Sequence, residues 1–328
     1  MKDESHRQPL GGVLAWRGLV RGGRWVDYGF VAVFVILVVV AAVSSEFFFS
    51  QTNLTNIARQ MVTNGLISLG MLVVILTGGI DLSVGAVVAL AGIMAAGLQA
   101  DLPLALAVLL ALAVGAAAGT VNGLLVARFR LAPFIVTLAT LSAFRGLVYV
   151  YSDTPITPDD PSFRTVLGGG FVGPIPVPVI IMLVCYAAVW LFIGRTSPGR
   201  AIVAIGGNAE AVRLAGVNVR RHVVVAYLLS GFFSALAGVL LVSRLGIAQP
   251  NVGVGYELDA IAACVIGGAI LGGGGGSVVG VLGGVLTLGL IDNLLNLFNV
   301  QSYYQQILKG VIIVVAVLAR RATKAKEF

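Results

Sequence analysis

The sequence predicts an all-α polytopic membrane protein with about ten transmembrane helices, some of them short and broken, and with both termini cytoplasmic. Three observations predict this. Of the 328 residues, 58% are hydrophobic and only 11% are charged, with a mean hydropathy of +1.01. Soluble domains carry about 25% charged residues, so lipid is the natural solvent for this chain. Apolar stretches of roughly 20 residues, the length that crosses a bilayer core, recur throughout. Finally, 16 of the 21 basic residues fall in alternate loops and the two termini, the bias expected of segments held inside the cell.

The elements follow in order. Residues 1–26 are polar and basic and read as a cytoplasmic tail. They hold no apolar run followed by a cleavage site, so no cleaved signal peptide is expected. Ten candidate spans come next, at about 27–45, 57–77, 82–98, 103–126, 131–151, 176–194, 222–243, 258–271, 277–298 and 303–319. The third and eighth are short and flanked by glycine, the pattern of a broken or re-entrant helix. Together they form a transmembrane domain at 27–319 with its longest inside loop at 195–221, followed by a cytoplasmic tail at 320–328. With the N-terminus inside, Arg59, Arg164 and Arg244 fall in outer loops, and Arg145 and Lys309 fall within spans. The outer loop 152–175 carries Asp153, Asp159, Asp160 and four prolines, which suits an ordered connection.

The net charge is +7 and the pI about 9.7. Because the basic residues sit in loops and termini, the membrane surface explains them and nucleic acid does not. Cys185 and Cys264 both lie in apolar segments and show no metal spacing. His6 and His222 are the only histidines, and no catalytic motif accompanies them. No enzyme activity, bound cofactor or metal is expected of this chain. The glycine run 272–276 is followed by Ser277 with no P-loop lysine, so it does not bind ATP by that route.

Four features carry candidate function. In the inside loop 195–221, Asn208 reads as a helix N-cap, Glu210 and Arg213 as an i,i+3 pair, and Gly216 as the residue past the C-terminus. Ala211, Leu214 and Ala215 share one side, and such a short exposed helix fits a groove on another protein. In LTGGIDLSVG (76–85), Gly78 and Gly79 end one helix, and Asp81 or Ser83 caps the next. Asp81 also suits a polar path or gate if the break lies in the membrane. Gly115, Gly119 and Gly123, and separately Gly268, Gly272, Gly276, Gly280 and Gly284, recur every four residues, the small-residue spacing of closely packed helices. A hint of a repeat links 77–92 with 266–284. Lastly, Asn64, Asn122, Thr137, Thr140, Arg145, Asp292, Asn293, Asn296 and Lys309 lie at membrane depth. Asn64, Asn122, Thr137, Arg145 and Asn293 of these, together with Asp81, are candidates for a translocation path, with Phe134, Tyr149 and Tyr151 as an aromatic face for a polar solute. The competing expectation is helix-to-helix hydrogen bonding, with Asp292 and Lys309 paired.

GGIDLSVG (78–85), GGNAEAVRLAGVNV (206–219) and AQPNVGVGYELDAIAACVIGG (248–268), in this order, resemble the branched-group bacterial ABC sugar permeases, the ribose-importer permeases in particular. The likeness runs from about residue 30 onward. It implies a multi-pass subunit in the bacterial inner membrane, paired with a second permease subunit as a homodimer or heterodimer. It implies cytoplasmic ATP-binding subunits that carry ATP and Mg²⁺, and an extracytoplasmic binding protein that delivers a monosaccharide such as ribose. It makes the segment with Gly206, Gly207, Asn208, Glu210, Ala211, Arg213, Leu214, Ala215 and Gly216 the loop that couples to the ATPase. The five-glycine run departs from the family, where Lys or Arg often interrupts it. The alternative reading from residue chemistry alone is a secondary, ion-coupled transporter of a small polar solute, with Asp81 or Asp292 as its ion site.

Overall fold

The computed structural model describes residues 29–301, 303–312 and 314. The tails expected at 1–26 and 320–328 lie outside the described residues, as does the end of the span expected at 303–319. The chain forms α1 (Gly29–Ser44), α2 (Gln51–Leu76), α3 (Val84–Gly97), α4 (Leu104–Phe129), α5 (Pro133–Tyr151), α6 (Val177–Arg195), α7 (Ser197–Leu214), α8 (Val219–Leu245), α9 (Tyr256–Ile266) and α10 (Val278–Leu297). Residues 303–312 are also helical. Six of these helices, α2, α4, α5, α6, α8 and α10, are long and apolar enough to cross a membrane. The 11 residues of α9 reach only about 16 Å, roughly half the hydrocarbon thickness.

Local chemistry sets several boundaries. The Ser50 hydroxyl accepts the Asn53 N–H at 3.2 Å, so α2 starts at Gln51 rather than near 57. Arg59, expected in an outer loop, therefore lies inside α2. Its guanidinium donates to the Gly169 carbonyl at 2.8 Å and stacks 4.6 Å from the Phe171 ring. Asn218 caps α8 by accepting the Arg221 N–H at 3.1 Å. α8 then runs on to Leu245, which puts Arg244 in its last turn, where a cation meets the negative end of the helix dipole.

α8 is the central post, packed against α2, α3 and α4. In α2 and α8, 83% and 67% of the most apolar stretch is buried, against 28%, 28% and 22% in α4, α5 and α6. The outer three keep Leu109, Ile135, Val150 and Val184 exposed, as lipid-facing helices do. The first glycine ladder works as its spacing suggests. A Cβ on Gly119 would lie 2.1 Å from the Tyr227 carbonyl oxygen, and one on Gly231 would lie 2.1 Å from that of Gly115, so α4 and α8 touch backbone to backbone.

The second ladder does not form one helical face. α9 stops at Ile266, and Gly268, Gly272 and Gly276 lie in the connection to α10. Consecutive glycines oppose helix formation through backbone entropy, and Gly268, Gly273 and Gly274 take φ of +90°, +93° and +74°. Only Gly280 and Gly284 sit on α10, where a Cβ would fall 2.0 and 2.1 Å from the carbonyl oxygens of Gly267 and Ala263. The connection from α5 to α6 is ordered through its bonds. Ile156 and Ala248 exchange backbone bonds of 2.9 and 2.8 Å, and Phe171–Val172 pairs antiparallel with Ile175–Pro176.

Candidate functional site

The most exposed ordered helix in the candidate segment is the second half of α7. The Thr196 hydroxyl opens α7 by accepting the Gly199 N–H at 3.1 Å. Asn208 then leaves helical geometry, with φ −159° and ψ 95°, and its side chain accepts the Ala211 N–H at 2.9 Å. α7 is thus two short helices meeting at a capped break, with the cap where the sequence places it. The first half buries Ile202 and Ile205, and Gly206 is half-buried. Beyond it Gly207, Asn208, Glu210, Ala211, Arg213, Ala215 and Gly216 are exposed, and Leu214 is 74% exposed.

Arg213 grips Glu210 with two bonds of 2.9 and 2.5 Å. That hydrogen bond holds the Glu210 carboxyl below the usual carboxylate range and raises the Arg213 guanidinium. Gly216 closes the helix at φ +82°, with its N–H on the Arg213 carbonyl and the Val217 N–H on that of Val212. Behind this helix lies a cleft of about 890 Å³, lined by Ala127, Arg130, Ala209, Arg213, Val219 and Arg220. It is concave, basic and partly apolar.

Asp81 lies within the turn that separates α2 from α3. Gly78, at φ +83°, ends α2. Asp81 Oδ1 accepts the Ser83 N–H at 3.0 Å and the Ser83 hydroxyl at 2.7 Å, and Oδ2 accepts the Ser230 hydroxyl at 2.8 Å. Asn122 donates to the Ser83 oxygen at 2.8 Å. Ser83 holds the N-cap position of α3, yet its hydroxyl makes no cap bond, because Asp81 takes it. Thr137 donates to the carbonyls of Pro133 at 2.9 Å and Ile80 at 3.3 Å. Asp81, Asn122 and Thr137 therefore gather around one buried turn.

The remaining path candidates lie elsewhere. Arg145 donates to the carbonyls of Pro250 and Val252 at 2.7 and 2.8 Å, which fixes the run of turns before α9. Asn293 pairs with Asn53 through bonds of 2.8 and 3.3 Å. Asn64 is half-buried on α2. Phe134, Tyr149 and Tyr151 are exposed on α5. Lys309 bonds Asp292 at 3.2 Å, the pair the sequence suggested, and also Asp259 at 3.0 Å. Asp259 escaped the sequence reading because an acid in the first turn of a helix looks like a dipole partner. Beside this triad, Glu257, Asp259, Gln305, Gln306 and Lys309 line a groove of about 550 Å³. Among the described residues no cluster of His, Cys, Asp and Glu is arranged to hold a metal ion.

Comparison with known proteins gives a consistent picture. The family described as branched-chain amino acid transport system / permease component matches residues 53–317. The chain is 45% identical, over 88% of its length and 91% of the relative's, to the ribose import permease protein RbsC of Haemophilus influenzae. It is 36% identical to the L-arabinose transport system permease protein AraH of Escherichia coli, with 93% of this chain and 94% of that one covered. It is 39% identical to the D-allose transport system permease protein AlsC of the same species, over 90% and 92% of the two chains. No solved structure matches the chain.

Proposed function

The chain belongs to the family described as branched-chain amino acid transport system / permease component, and from that premise we propose that it is the permease subunit of an ATP-binding-cassette importer for a monosaccharide, ribose or a similar small sugar. It is a multi-pass protein of the bacterial inner membrane. The family description names amino acids, but the relatives matched over about nine-tenths of this chain are named for ribose, arabinose and allose. A sugar is accordingly the substrate class. Likeness along 88% of the chain to a ribose import permease carries this reading.

Energy enters from a separate ATP-hydrolysing subunit, which docks on α7 from Gly206 to Gly216. The exposure of Leu214 and the capped break at Asn208 support docking there. A second permease subunit, preferably an identical copy, completes the path, and an extracytoplasmic binding protein delivers the sugar. Both ends inside fit the charge bias, and about ten membrane-embedded helices fit the helix at each expected segment if the short α9 enters the bilayer as a broken helix rather than crossing it alone. Asn64, Asp81, Asn122, Thr137, Arg145 and Asn293 shape the path, Asp81 and Arg145 by holding the broken segments rather than by touching sugar.

Reconstitution with the cognate partners tests the proposal. ATP hydrolysis by the cytoplasmic subunit is expected to accelerate when ribose-loaded binding protein is added. Hydrolysis indifferent to the binding protein loaded with ribose, arabinose or allose contradicts it.

A further inference from the structure

Three pieces of backbone meet with no side chain between them. The end of α2, the glycine run before α10, and α7 just before its break converge on Gly206. The Gly274 N–H donates to the Leu76 carbonyl at 3.1 Å, which joins the two turns that open α3 and α10. A Cβ on Gly206 would lie 2.0 Å from that same carbonyl oxygen and 2.2 Å from the Gly274 nitrogen. One on Gly273 would lie 2.8 Å from both the Gly206 Cα and the Gly78 nitrogen, and one on Gly274 would lie 2.8 Å from the Gly207 nitrogen. Gly78, Gly273 and Gly274 all hold positive φ, so each turn keeps a shape that only glycine adopts without strain.

We propose that Gly206 is the positioning residue that passes the motion of the ATPase-docking helix to the two broken segments of the membrane domain, 77–83 and 267–277. The inference rests on the reading of α7 as the docking segment. The break at Asn208 lies two residues beyond Gly206, so the exposed half of α7 meets the partner on one side of the clasp and the buried turns lie on the other. Flexible side chains at such a contact would absorb small displacements, whereas touching backbones transmit them. The Leu76 carbonyl is the shared point, because Gly274 bonds it and Gly206 packs on it. Movement of Gly206 therefore acts on the starts of α3 and α10 together.

The test uses the whole importer in vesicles. Wild-type complex must first show ATP-dependent ribose uptake; without it the underlying reading fails before any variant is measured. Gly206→Ala is expected to assemble and hydrolyse ATP while sugar moved per ATP falls about tenfold, the size of effect seen when linked sites lose coupling. Gly194→Ala, at a position with open space around it, is the matched control with unchanged uptake per ATP. Unchanged uptake per ATP in Gly206→Ala overturns the proposal. Should that variant fail to assemble, hydrogen exchange on the wild-type complex decides. The Gly274 amide stays protected with and without ATP if the clasp moves as one body, and its loss of protection in either state overturns the proposal.

Discussion

Asp81 shows how one residue can look like a functional acid and serve as an anchor. Its two oxygens take three donors from Ser83 and Ser230, and Asn122 completes the cluster through Ser83. Asp81→Ala leaves buried hydroxyl and N–H donors unpaired, at a cost of about 1–3 kcal/mol per group. Thermal unfolding of the detergent-solubilised protein is expected to show a clear loss of stability. Asp81→Asn keeps one acceptor and is expected to fall between the two. The ion-coupled alternative requires Asp81 or Asp292 to cycle an ion, so Asp81→Asn with Asp292→Asn is expected to retain ATP-driven uptake. At Gly119, Ala would drive a methyl into the Tyr227 carbonyl and cost about 1–3 kcal/mol by overpacking, which the same unfolding measurement reads. The role of Gly119 was legible because its four-residue spacing falls within one helix. That of Gly272 was not, because the same spacing crossed a helix end that only the φ angles reveal.

Among the elements, α7 was the most legible, since its caps are local. Asn208, the Glu210–Arg213 pair and Gly216 each act within four residues of their partners. What the sequence could not supply was the burial of the first half of α7 against the glycine turns, which depends on residues more than 60 positions away. Leu214→Asp is expected to release the ATP-hydrolysing subunit in co-purification by about tenfold or more, since an exposed apolar anchor at an interface carries much of its affinity. The fold of the permease itself stays intact, because Leu214 touches solvent. The last helix is held differently. Lys309 is shared by Asp259 of α9 and Asp292 of α10, so Lys309→Met leaves one buried and one partly buried carboxylate without their cation, a loss toward the low end of about 3–5 kcal/mol, the cost of breaking a fully buried pair. Adding Asp259→Asn and Asp292→Asn is expected to restore much of the stability, as replacing a whole buried ion group often does. The Asp292–Lys309 pair was readable from two charges at membrane depth, but Asp259 needed the packing of α9 on α10.

At the scale of the molecule, composition and charge bias were enough for a helical membrane protein, and the six long apolar helices agree. The polar residues at depth carried two expectations, path lining and helix-to-helix bonding, and several of them divide into a buried turn cluster, an arginine clamp and an asparagine pair. Residue type cannot tell these apart, because interhelical glue and path lining use the same groups. The central claim is that ATP hydrolysed on a partner, not an ion gradient, drives a sugar through this chain. The most direct measurement is labelled ribose accumulation in vesicles holding the complete importer, with ATP on the cytoplasmic side or with a proton gradient alone. ATP together with the loaded binding protein is expected to give sustained accumulation, and the gradient alone none; sustained accumulation from the gradient without ATP would contradict the claim.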